Sequence, residues 1–193
     1  MGGEGSGDLL GHEFRGNQWT SGGIPPITVD HINQFKKINA LNRQDKERLF
    51  AYKNGKAVTV SVVGTKDSVT IPPGSLKNCD IVHNHTNDNP AFSPEDIYLS
   101  AGGNVNSVSA VSVSNGTWTV LRPPNGWGDI DHNKVETAFK TAVAIEKSSS
   151  ITKEIIRKYR LKEITIEEGD KIFNQNISRR ALKDLGLVVE ELP

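Results

Sequence analysis

The hydrophobic positions change period along the chain, and each change predicts an element. Between Thr28 and Glu47, Ile32, Phe35 and Ile38–Leu41 recur at about helical spacing, which predicts helix over parts of that stretch. The period then shortens. Arg48–Lys53 and Ala57–Val63 read as strands on either side of Asn54-Gly55, a pair that tolerates the positive φ values of a type I′ turn, so a hairpin is predicted. Pro72-Pro73-Gly74 marks a loop, and Cys79–Val82 is a short apolar strand running into His83. Ile97–Ala101 continues a helix that starts near Ser93. Ser107–Ser114 alternates small polar and apolar residues with period two, turns at Asn115-Gly116 and returns as Thr117–Leu121, which predicts a second, half-buried hairpin.

From residue 129 onward the period lengthens again. Val135, Ala138, Phe139, Ala142 and Val143 form a helical stripe that reads as core packing. Ile151–Tyr159 and Ile172–Leu185 read as further helices, with Gly186 a stop and Leu187–Leu192 a last strand. Residues 1–26 differ from everything that follows. Their glycines predict a flexible arm that cannot pack a core, with Phe14 and Trp19 as side chains that dock on something. The expected organisation is an arm (1–26), a core (27–128) and a helical C-terminal extension packing on it (129–193). The expected fold class is α/β, with a mixed, mainly antiparallel sheet of two hairpins and flanking helices.

Composition narrows the function classes. The chain has 193 residues, 35% of them hydrophobic, enough for one domain with a core. Lys and Arg number 23 and Asp and Glu 23, so the basic excess of a general nucleic-acid binder is missing. In residues 129–193 the charges also balance, which reads as a solvated helical surface. The lone Cys79 excludes an internal disulfide or a multi-cysteine zinc site and reads as a core residue. No run of apolar residues is long enough to span a membrane, and no signal-peptide core opens the chain, so a soluble intracellular protein is expected.

The candidate chemistry lies in Val82–Asp96. His83 and His85, two apart at a strand end, can turn both imidazoles to one metal, while Asn84 points away and can orient the surrounding loop. Ser93-Pro94-Glu95-Asp96 reads as a helix start, with Ser93 as N-cap, Pro94 at N1 and Asp96 at N3, where the helix end favours a carboxylate. Two His, one Asp and an open position suit a catalytic rather than a structural zinc. Such a site needs a general base. Of the glutamates before His83 (Glu4, Glu13 and Glu47), the first two lie in the Gly-rich arm, which leaves Glu47. His12, His31 and His132 have no ligand-spaced partners and read as surface residues.

The spacing His83-x-His85, seven residues, Ser93, two residues, Asp96 resembles that of the JAMM (MPN-type) zinc metalloproteases. The resemblance implies that His83, His85 and Asp96 bind Zn2+, that Glu47 is base and proton shuttle, and that Ser93 stabilises the oxyanion. It implies hydrolysis of a peptide or isopeptide amide, with a protein or peptide substrate such as a ubiquitin-like tail. Two features depart from the family pattern: Thr86 stands where Pro usually follows the second His, and the upstream Glu lacks a tight local motif. The nearest resemblance is to small JAMM-like domains of phage and mobile-element proteins. Gly11–Thr20 is similar to a segment of phage head-morphogenesis proteins. These likenesses imply host cytoplasm or virion as location and phage head proteins as partners of the arm. The alternative expectation is a non-catalytic phage structural or interaction protein on the same fold. A nuclease reading of His83-Asn84-His85 has less support, because the HNH nuclease residues are spread over two strands and a helix.

Overall fold

A computed structural model describes residues 14–15, 18–19, 24–40, 46–58, 62–63 and 76–192. Strands β1 (Phe14–Arg15) and β2 (Gln18–Trp19) pair as a short antiparallel ribbon. Helix α1 (Pro26–Ala40) follows, then β3 (Arg48–Lys53), β4 (Lys56–Ala57), β5 (Val62–Val63) and β6 (Asp80–Asn84). Helix α2 (Pro94–Gly102) leads to β7 (Ser107–Val111) and β8 (Thr117–Leu121). The chain ends with α3 (His132–Lys147), α4 (Ser150–Arg160), α5 (Ile166–Asp184) and β9 (Val189–Leu192). The main sheet is mixed and open, in the order β4-β3-β6-β7-β8-β9, with β5 also pairing β3. Among the described residues no helix is long and apolar enough to cross a membrane.

Alternation along the strands separates two cores. Leu49, Ala51, Ile81, Val108, Ala110, Trp118 and Val120 face α2, α3 and α5, where Ile97, Val135, Phe139, Ile177 and Leu182 meet them. Phe50, Tyr52, Val82 and Val111 face the other way, against Ile24, Ile32 and Phe35 at and before α1. The sheet is therefore covered on both faces. Ile24, within the segment read as an arm, belongs to that second core.

The pattern misjudged several local features. The second hairpin is not half-buried: every residue of β7 and most of β8 is buried. Its second face is polar, with Ser107 Oγ donating to Asp80 at 2.8 Å and Ser109 Oγ 2.9 Å from Thr119 Oγ1, while the buried Thr117 hydroxyl has no partner among the described residues. The sheet is mixed and mainly antiparallel, as expected, and among the described strands its parallel pair is β6 with β7, joined through the α2 crossover. His31 is not a surface residue. It is buried in α1, its Nδ1 2.8 Å from Asp80 and its ring stacked on Tyr52 at 4.7 Å. Glu146 departs from the solvated-helix reading: it is fully buried, accepting from Arg180 at 3.3 Å and Ser149 Oγ at 2.9 Å. His132 is exposed and Cys79 buried, as read. His12, Glu4, Glu13 and the Pro72–Gly74 loop lie outside the described residues.

Candidate metal centre

Two elements converge because of the β6–α2–β7 connection. A strand followed by a crossover helix brings the strand's C-terminal end and the helix N-terminus to one edge of the sheet. His83 is the penultimate residue of β6, on the α2 face, and His85 lies just past the strand. The helix start is as the sequence predicts. Ser93 is the N-cap at φ −84° and ψ 165°, Pro94 begins the helix, and a capping box links Ser93 and Asp96. The Asp96 carboxylate accepts from Ser93 N–H at 2.8 Å and Ser93 Oγ at 2.9 Å, while the Asp96 amide donates to Ser93 Oγ at 3.3 Å.

The same carboxylate faces both imidazoles. His83 Nε2 lies 3.2 Å from Asp96 Oδ1, His85 Nε2 3.4 Å from Oδ2, and the two Nε2 atoms are 3.0 Å apart. One ligand atom from each of the three residues falls within 4.8 Å of the others. Burial opposes ionisation of Asp96, but the charge and hydrogen bonds of His83 and His85 outweigh it and hold its carboxyl well below the usual range. Burial pulls the His85 imidazole down. Hydrogen bonding and charge from Asp96, with help from the Asn89 carbonyl and Glu47, carry it up to about 9.

The donor set fits a small divalent ion. His85 Nδ1 donates to the Asn89 carbonyl at 2.7 Å, so that a metal displacing the Nε2 proton, which Asp96 favours, would meet the tautomer a ligand needs. His83 Nδ1 is buried without a partner among the described residues. Its Nε2 is crowded against a second imidazole and a carboxylate, and the Phe92 ring lies 6.4 Å from its own, so cluster and packing together orient it. Two nitrogens on one tetrahedral zinc lie about 3.4 Å apart, so a separation of 3.0 Å needs only a small opening.

A cleft of about 820 Å³ opens on the centre. Glu47 and Ser93 line it together with His83, His85 and Asp96, so all five residues singled out from the sequence border one space. The Ser93 hydroxyl hydrogen is directed at Asp96. Other contributors escaped the sequence reading. Phe139 of α3 and Asn174 and Ile177 of α5 form a wall of the cleft. The carbonyl of Asn89 orients His85, and α5 braces that loop: Gln175 Nε2 donates to Asn89 Oδ1 at 3.3 Å, and Ser178 Oγ accepts from Phe92 N–H at 3.1 Å. A backbone carbonyl has no residue signature, and contacts from a helix some ninety positions downstream leave no local spacing to read.

The comparisons with known proteins add no relative: no family model, no curated protein and no solved structure matches this chain.

Proposed function

We propose that this protein is a zinc-dependent peptidase or isopeptidase with a JAMM-like arrangement of its site. The observation that carries the reading is the convergence of His83, His85 and Asp96 at one end of a cleft that Glu47 and Ser93 also line. His83, His85 and Asp96 would hold zinc, which supplies Lewis acidity for attack of water on an amide carbonyl. Glu47 takes the proton from the attacking water and returns it to the leaving amine. Ser93 turns its hydroxyl from Asp96 toward the oxyanion as charge develops there. Among the described residues no Lys or Arg lines the cleft, and its apolar members Leu49, Phe92, Leu99, Phe139 and Ile177 suit an uncharged segment of polypeptide.

The test has two stages. Elemental analysis of the purified protein is expected to find one zinc per chain, lost in His83→Ala and in His85→Ala. A pool of short peptides carrying α-linked and lysine ε-linked amides, read by mass spectrometry, is then expected to show metal-dependent cleavage. Stoichiometric zinc in the double His variant would sink the ligand assignment. A second reading, a non-catalytic interaction protein, draws support from the apolar side chains exposed along and after α4, among them Ile156, Tyr159, Leu161 and Ile166. Absence of metal and of cleavage, with self-association or capture of head proteins, would favour it.

A further inference from the structure

Asn84 stands between the two imidazoles in sequence but serves the other side of the strand. Side chains alternate along β6, so His83 turns to the cleft and Asn84 turns away from it. There Asn84 is 1% exposed, and its amide is spent on main chain. Its Oδ1 accepts from the Arg48 N–H at 3.1 Å, and its Nδ2 donates to the Lys46 carbonyl at 3.3 Å. These two groups bracket Glu47. A carboxamide can accept from one backbone group and donate to another at once, which neither a carboxylate nor an aliphatic side chain can do.

Resting on the peptidase reading above, we propose that Asn84 is a positioning residue for Glu47. It fixes the backbone on both sides of Glu47, so that the carboxylate is held at the cleft that His83, His85 and Asp96 also line. His83-Asn84-His85 is then bifunctional: the outer residues supply ligands to one face, and the middle one ties the base to the same strand through the opposite face. Misplacing a catalytic group by about 1 Å can cost on the order of 10²-fold, so a tether on the backbone of the base has kinetic weight.

The experiment is a double-mutant cycle on the full chain, with zinc content checked in every variant. Asn84→Ala is expected to keep zinc and KM while kcat falls about 10- to 100-fold. In a Glu47→Gln background the same substitution is expected to change kcat less than about 3-fold, because the group it positions is already disabled. An undiminished loss in both backgrounds would overturn the proposal, since Asn84 would then act on the fold or the ligands. Asn84→Ser keeps a buried hydroxyl that can bond only one of the two backbone groups. It is expected to fall between wild type and Asn84→Ala, and it serves if the alanine variant does not fold. An independent readout uses metal-free protein and NMR. Asn84→Ala should speed hydrogen exchange at the Arg48 amide at least about tenfold over its β3 neighbours and shift the Glu47 backbone amide resonance. An unchanged exchange rate at Arg48 and an unshifted Glu47 amide would overturn the proposal whatever the turnover. Turnover indifferent to Glu47→Gln would instead sink the peptidase reading, and the NMR result would judge Asn84 alone.

Discussion

Glu47 separates chemistry from scaffold more cleanly than any other side chain in the cleft. It lines the space beside the three candidate ligands without belonging to that set. Glu47→Gln is nearly isosteric but cannot accept and return a proton. Zinc content and the unfolding midpoint should therefore stay at wild-type values while turnover drops ~10²–10⁴-fold, measured on the cleaved peptides. Residues of this kind are readable from sequence when their partners are close along the chain: His83, His85, Ser93 and Asp96 announce each other by spacing. His31 shows the converse. Its partner Asp80 lies far along the chain, and a third group, Thr28 Oγ1, donates to the same carboxylate at 3.1 Å. Nothing in the helical stretch around His31 signals an acid on a strand, so spacing alone left it on the surface.

Two Asn-Gly pairs show what a turn signal contains. Asn54 and Gly55 adopt φ of 49° and 79°, both left-handed, and β3 and β4 pair directly across them. At Asn115-Gly116 only the glycine does so, at φ 76°, and the connection runs from Val111 to Thr117. The difference comes from Asp88, outside the hairpin. Its carboxylate accepts from Ser112 Oγ at 2.8 Å and Val113 N–H at 2.6 Å, and from the Ser114 hydroxyl, which draws the loop around it. Burial alone would raise the Asp88 carboxyl, but these hydrogen bonds outweigh it and lower it. A folded-state value below the unfolded one of about 3.9 contributes stability that is complete above that pH and lost as pH falls through the lower value. Urea unfolding at pH 6 and pH 3 should show this loss in the wild type and a smaller one in Asp88→Asn. The start of α2 offers a second test. Ser93→Ala removes the N-cap and should cost about 1 kcal/mol in the same assay. It also strips one donor from Asp96 while leaving both imidazoles in place.

For the molecule as a whole, the stretch read as a core does not enclose itself. The larger hydrophobic cluster includes Val135, Ala138, Phe139, Ala142, Ile177, Ala181, Leu182 and Leu187, all beyond residue 128. β9 also pairs along β8, from Val120–Val189 to Thr117–Leu192. A fragment of residues 24–128 should therefore lack cooperative unfolding by circular dichroism, whereas residues 24–193 should retain it. The helices after residue 129 were readable from their periodicity. Their place over the sheet was not, because a stripe shows that a helix buries one face and not what it buries that face against. The parallel pairing of β6 and β7 was hidden for a related reason: the pattern shows α2 as a helix between two strands but not that it carries the chain back to pair β7 alongside β6.

The ligand cluster spans one short stretch, His83 to Asp96, while Glu47 and the α5 wall come from distant parts of the chain. Loops that are short in sequence close at small entropic cost and tend to close early, and distant ones follow. During synthesis the ligands would be complete long before α5 left the ribosome. Glu47 and Ser93 would leave the ribosome with them, yet the segment that orients His85 would be braced only when Gln175 and Ser178 of α5 reach it. Newly made chains would thus hold every polar residue of the cleft before holding them firmly, and the final ordering of the centre would wait for the C-terminal helix.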